Sequence, residues 1–176
     1  MKKNSKNINP ATKSQPTKDS EKNNSNTPFN QNWFYFLLAL ITSIVYANSI
    51  SNSFAYNDEL NVLSNPNLND IHSVFRFGSK VGFFETTNFP LTKFIFFIEK
   101  TVFGFNPLIS HIISLLCFVS AVLIVFRLLA IHFFLENIWI AFFISILFSI
   151  HPIQTEVVNN IQNRGEIISF LLSILT

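Results

Sequence analysis

The chain has 176 residues, of which 49% are hydrophobic and only 12% charged, with a net charge of +2. Its mean hydropathy of +0.36 is too apolar for an ordinary soluble domain of this size, which points to a bilayer. The lysines gather near the N-terminus, so the small positive balance marks orientation better than a nucleic-acid partner and suggests no basic groove. One cysteine, Cys117, excludes an internal disulfide framework and any cysteine-based zinc site.

Residues 1–32 are Asn, Ser, Lys, Thr and Pro with almost no apolar side chain, and predict a disordered cytoplasmic tail. The uncharged run at about 33–50 predicts a first membrane span, with Trp33, Tyr35 and Tyr46 placed for the interfaces. A cleaved signal peptide is the alternative, since Val45, Tyr46 and Ala47 loosely fit a cleavage pattern. Residues 52–106 read as a long outer loop broken by Gly78, Gly82 and Gly104. Within it LTKFIFFIEKTVF, 91–103, sets Lys93, Glu99 and Lys100 among aromatics, as an amphipathic helix in the interface would.

Asn106-Pro107 opens a second apolar run at about 108–135, with His111, Arg127 and His132 near its ends, where long side chains can snorkel. Glu136-Asn137 forms a turn, 138–150 a short third span, and 157–176 a truncated fourth. The fold class that follows is all-α, a polytopic bundle of three complete spans plus a truncated fourth, in which 33–176 form one partial transmembrane region. Six lysines in the tail against Asp19 and Glu21 put the N-terminus in the cytoplasm. The loop 52–106 and the segment 151–166 then share the outer side.

Two outer segments could carry chemistry. FAYNDELNVLSNP, 54–66, places Asp58 and Glu59 at the membrane edge, where desolvation can tune a carboxylate toward general-base work; the alternative is a solvated acidic turn. IHPIQTEVVNNIQNRGEI, 150–167, gathers His151, Glu156, Arg164 and Glu166. Arg164 suits a phosphate by its bidentate fork, or else pairs with Glu156 or Glu166. No second His or Cys stands at ligand spacing from His151, so no metal site is expected.

The order F-x-Y-x-D-x(6)-N-P, a proline-containing stretch into an amphipathic helix, NPxxSHxxS and then LFSIHPIQTEVVNNIQNRGEI resembles the N-terminal part of membrane GT-C glycosyltransferases fused to tetratricopeptide repeats, similar to protein O-mannosyltransferases. The resemblance implies sugar transfer from a polyprenyl-phosphate carrier to an acceptor hydroxyl, commonly a protein Ser or Thr, with no cofactor. It implies Asp58 as the base, and Glu59, His151, Glu156 and Arg164 as substrate-binding residues. It also implies an integral membrane location, in a bacterial inner membrane by this reading. The chain departs from the pattern at Asn57, Phe89 and Gln154, where relatives often carry an acid, an Arg and a His. The short fourth stretch and the lack of a tetratricopeptide period suggest an N-terminal portion that is inactive alone. The reading of another class is a non-catalytic membrane protein that keeps the spans without a working site.

Overall fold

The computed structural model describes residues 31–55, 58–75, 80–81, 84–85 and 90–176. Residues 1–30 of the expected tail, and the departures at Asn57 and Phe89, lie outside them. The described chain is helical except for one antiparallel pair of two-residue strands, β1 (Lys80–Val81) and β2 (Phe84–Glu85). The helices are α1 (Asn32–Val45), α2 (Ile71–Val74), α3 (Pro90–Phe103), α4 (Pro107–Leu128), α5 (Ile138–Ile150), α6 (Ile153–Asn159) and α7 (Arg164–Leu175).

Local chemistry sets the boundaries. Gly104, at φ 63°, closes α3 in the left-handed conformation that glycine adopts without steric cost. Two residues later the Asn106 side chain accepts the Leu108 N–H at 3.0 Å and Pro107 takes the first turn of α4, where a missing N–H costs nothing. Asn137 caps α5 in the same way, accepting from the Trp139 N–H at 3.2 Å. At His151-Pro152 the proline disfavours helical backbone in the residue before it, so α5 stops at Ile150 and α6 starts afresh.

These breaks overturn the expected three complete spans plus a truncated fourth. Among the described residues one helix is long and apolar enough to cross a membrane, the 27-residue Pro107–Phe133, which is α4 continued through a π-helical turn at Leu129–Phe133. The helix α1 has 14 residues, or about 21 Å, because the chain tightens into a 3₁₀ turn at Ala47–Ser51. Helices α5 and α6 meet at a bend of 64°, and reach spanning length only if the bent pair counts as one.

The core lies between α1, α4 and α5. Phe34, Leu38, Thr42 and Tyr46 recur every fourth residue and are all buried, which gives α1 a single inward face. Against it stand Phe118, Ala121, Val122 and Phe126 of α4 and Ala141 and Phe142 of α5. The Phe34 ring meets Trp139 edge-on at 4.9 Å and Phe142 at 5.0 Å. At the far end Thr42 and Ser149 hydroxyls bond at 2.8 Å, and the Tyr46 hydroxyl donates to the Ser149 carbonyl at 2.9 Å. Small side chains at Ala121, Ala141 and Ser145 let the backbones approach, as in helix packing within lipid. The opposite face of α1 leaves Trp33, Phe36, Leu40 and Ile44 exposed.

The helix α3 is amphipathic as expected, but turned round. Thr92, Lys93, Phe96 and Glu99 point inward and are buried, while Leu91, Ile98, Val102 and Phe103 face out. A charge-in, apolar-out helix suits a surface wetted by lipid rather than water. Burial pulls the Lys93 ammonium below its ordinary value of 10.5.

Because the folded pKa is depressed, the folded state gains on the unfolded one as pH rises from that lowered value toward 10.5. Lys93→Met should therefore raise the unfolding midpoint in detergent at neutral pH by at least about 2 °C and flatten its rise at alkaline pH. A midpoint that is unchanged or lower in the variant would refute the desolvation argument.

Candidate functional site

The first outer segment leaves α1 through the 3₁₀ turn and runs toward Asp58, which begins a helical turn at Glu59–Leu63. The Asp58 N–H donates to the Ala55 carbonyl at 2.9 Å, while the Ala55 N–H donates back to Asp58 Oδ2 at 3.1 Å. The first is an ordinary backbone turn, and the second is the acid's half of a capping box, with the acid three residues past the N–H that it accepts. Asp58 Oδ1 meanwhile accepts the N–H of Gln162, 104 residues away, at 2.8 Å. One fully buried carboxylate thus joins the two segments that the sequence singled out. Among the described residues each oxygen accepts one of these N–H groups, and a carboxylate oxygen can accept a second.

Arg164 is also fully buried and every nitrogen of its fork is engaged. Nη1 pairs with Glu99 Oε2 at 2.7 Å, Nη2 donates to the Ser110 carbonyl at 2.7 Å, and Nε donates to Ser114 Oγ at 3.0 Å. The Ser110 hydroxyl donates to the other Glu99 oxygen, and the Phe96 ring lies 4.6 Å from the guanidinium carbon. The charge partner is therefore Glu99 of α3, not Glu156 or Glu166. The network locks α3, α4 and the start of α7 together, two residues from the N–H that holds Asp58.

The other sequence-predicted residues lie further out. Glu59 is exposed, and His151 is exposed with its Nδ1 accepting the Ile153 N–H at 3.3 Å at the start of α6. Glu156 is exposed on α6 and lines a cleft of about 680 Å³ between 52–55 and 152–160. The structure thus brings Asp58, Arg164 and Glu156 to one end of the molecule and leaves Glu59 and His151 at its surface. Among the described residues no group of three or more His, Cys, Asp or Glu could hold a metal ion.

Six residues at this end escaped the sequence reading of the site. Glu99 looked like one charge of a surface helix. Ser110 and Ser114 stood four apart in an apolar run, the spacing of one helix face, which is the signal that could have found them. His111, read as a snorkelling residue, is 1% exposed; among the described residues neither ring nitrogen has a hydrogen-bond partner, and Ser53, Asp58, Glu99 and Arg164 all lie within electrostatic reach. Asn159 and Asn160 each bury a side-chain oxygen without a partner.

Glu99→Ala should cost about 3–5 kcal/mol in unfolding free energy, because it leaves a buried guanidinium uncompensated. Replacing both members, Glu99→Met with Arg164→Met, should cost markedly less than Glu99→Ala alone. Chemical unfolding of the detergent-solubilised variants measures both, and a double variant as damaged as the single one would show that the pair is not the source.

Comparison with known proteins places the chain beside sugar transferases. It is 26% identical over 150 residues to a protein O-mannosyl-transferase of Caenorhabditis elegans, a match that covers 78% of this chain and 21% of that protein. It is 27% identical over 157 residues to a protein O-mannosyl-transferase of Homo sapiens, covering 79% of this chain and 17% of that protein. No family model matches the chain, and no solved structure matches it. The chain spans about a fifth of the length of these curated relatives, and over that stretch it resembles O-mannosyl-transferases.

Proposed function

We propose that the chain is the N-terminal part of a membrane glycosyltransferase that moves a sugar from a polyprenyl-phosphate carrier to an acceptor hydroxyl, commonly a protein Ser or Thr. The observation that supports this reading is the junction at Asp58, where the two segments that carry the sequence resemblance are bonded to one buried carboxylate. Asp58 takes the proton of the acceptor hydroxyl as its oxygen attacks the anomeric carbon. The bond from that carbon to the carrier phosphate breaks, and polyprenyl phosphate leaves with the electron pair. Asp58 has no exposed surface, so proton uptake requires the segment at Ala55 to part from it.

Arg164 serves this site by position, since binding a phosphate would first require giving up Glu99. Glu156 faces the cleft, and Glu59 and His151 are left as surface contacts for the carrier head group. The lysine-rich tail belongs on the cytoplasmic side, of a bacterial inner membrane by the sequence reading, and the cleft opens on the outer side. Transfer is a property of the longer protein, with further helices and tetratricopeptide repeats. The 176-residue chain alone is inactive in this reading. A non-catalytic role draws on the same geometry, because Asp58 and Arg164 both already have structural partners.

Asp58→Asn in the natural full-length protein separates the two. The transferase reading expects loss of transfer by at least about 100-fold, within the usual range for a general base, with the unfolding midpoint nearly kept. Full transfer by the variant would remove Asp58 from the chemistry, and equal loss of folding would assign it to the frame. Orientation is tested by Ser64→Cys and Thr155→Cys in a Cys117→Ser background. Both should react with an impermeant thiol reagent in intact cells, and labelling of either only after lysis would reverse the assignment.

A further inference from the structure

A second cavity, of about 250 Å³, lies among α4, α5, α6 and α7. Phe148 of α5 and Val157 of α6 line it from either side of the 64° bend, so it occupies the angle that the bend leaves. Its apolar wall is a row of rings: Phe118 and Phe148 stack at 6.3 Å, and Phe148 and Phe170 at 5.8 Å. Phe170 is 38% exposed, which carries this wall out to the surface of the bundle. Among the described lining residues only Gln154 and Glu166 are polar. Glu166 stands one turn before Phe170 on the same face of α7, about 6 Å along the axis, so the carboxylate sits at one end of the row of rings.

The charge at the mouth decides what fits. A carboxylate beside hydrocarbon is costly unless it is paired or solvated. The described lining offers Glu166 no cation, and Arg164, two residues earlier, is buried and paired with Glu99. An anionic amphiphile, polyprenyl phosphate included, would bring like charge to Glu166. An apolar chain that ends in a cation matches both the rings and the carboxylate. We infer that this cavity takes an acyl chain of a membrane phospholipid with a primary ammonium head group, of the phosphatidylethanolamine kind. The chain lies along Phe118, Phe148 and Phe170, the ammonium donates to the exposed Glu166 carboxylate, and the Gln154 amide donates to the lipid phosphate. The inference rests on the membrane reading of the chain and not on sugar transfer.

The test uses the natural full-length protein in mixed micelles with equimolar phosphatidylethanolamine, phosphatidylcholine and phosphatidylglycerol of identical chains, and native mass spectrometry to count the lipid retained. The wild type should keep the ethanolamine lipid about fivefold over the glycerol lipid, the upper scale of one charge pair at a surface. Glu166→Gln changes an exposed side chain and should remove that preference with the unfolding midpoint unchanged, while Glu166→Lys should reverse it. Val157→Phe, which fills the cavity, should lower retention of all three lipids. Equal retention of the three by the wild type overturns the inference, as does a preference that survives Glu166→Gln. Polyprenyl phosphate retained in place of the ethanolamine lipid, when added at equal concentration, would assign the cavity to the carrier and overturn it too. Retention of no lipid would give the cavity to another helix of the longer protein. A protein that stays dispersed without detergent would instead remove the membrane reading itself.

Discussion

The ion pair between Arg164 and Glu99 is the constraint on which the outer end of the molecule depends. Both groups are almost completely withdrawn from solvent, and neither could be stable there alone. Their desolvation is offset by a full set of partners: two serines, a backbone carbonyl and the face of Phe96. Because those partners come from α3, α4 and α7, the geometry can be met in one relative arrangement of the three helices. The segment that delivers Gln162 to Asp58 is part of that arrangement.

Away from this end, hydroxyl groups do much of the holding. The Ser145 hydroxyl donates a hydrogen bond to the Ala141 carbonyl of its own helix, and Thr42, Tyr46 and Ser149 join α1 to α5 at a point where apolar packing alone would allow sliding. Apolar surface is meanwhile left outside, on α1, on α5 at Phe143 and Leu147, and on α3 at Leu91, Ile98 and Val102. Such a distribution is costly in water and ordinary in lipid, where helices associate through close packing and hydrogen bonds.

Much of this was legible in the residues. The amphipathic helix expected at 91–103 is α3 to within one residue, and Asn106-Pro107 opens α4 as its capping chemistry requires. The segments around Asp58 and Arg164 were singled out, and they do meet. The count of spans failed because apolar length was read without the breaks inside it: the 3₁₀ turn after Val45 and the proline bend at His151-Pro152 end helices that composition would continue. The partner of Arg164 was missed for a different reason. Glu99 is 65 residues away, and its face of α3 turns inward only because the other face is apolar. Local pattern could show that α3 has two faces, but not which one looks at solvent.

The double tie at Asp58, to Ala55 and to Gln162, has a consequence for the order of assembly. Its local half, with Ala55, closes as soon as a few residues have been made, while its other half needs the N–H of Gln162, 104 residues later. At about 5–20 residues per second, a growing chain waits on the order of 5–20 s between the two events. Glu99 waits as well, for Arg164, while α3 already carries its charge among apolar neighbours. The nascent chain must therefore keep two carboxylates hydrated at the edge of the membrane until α7 arrives, and residues 162–164 complete a site whose first residues were laid down beside α1.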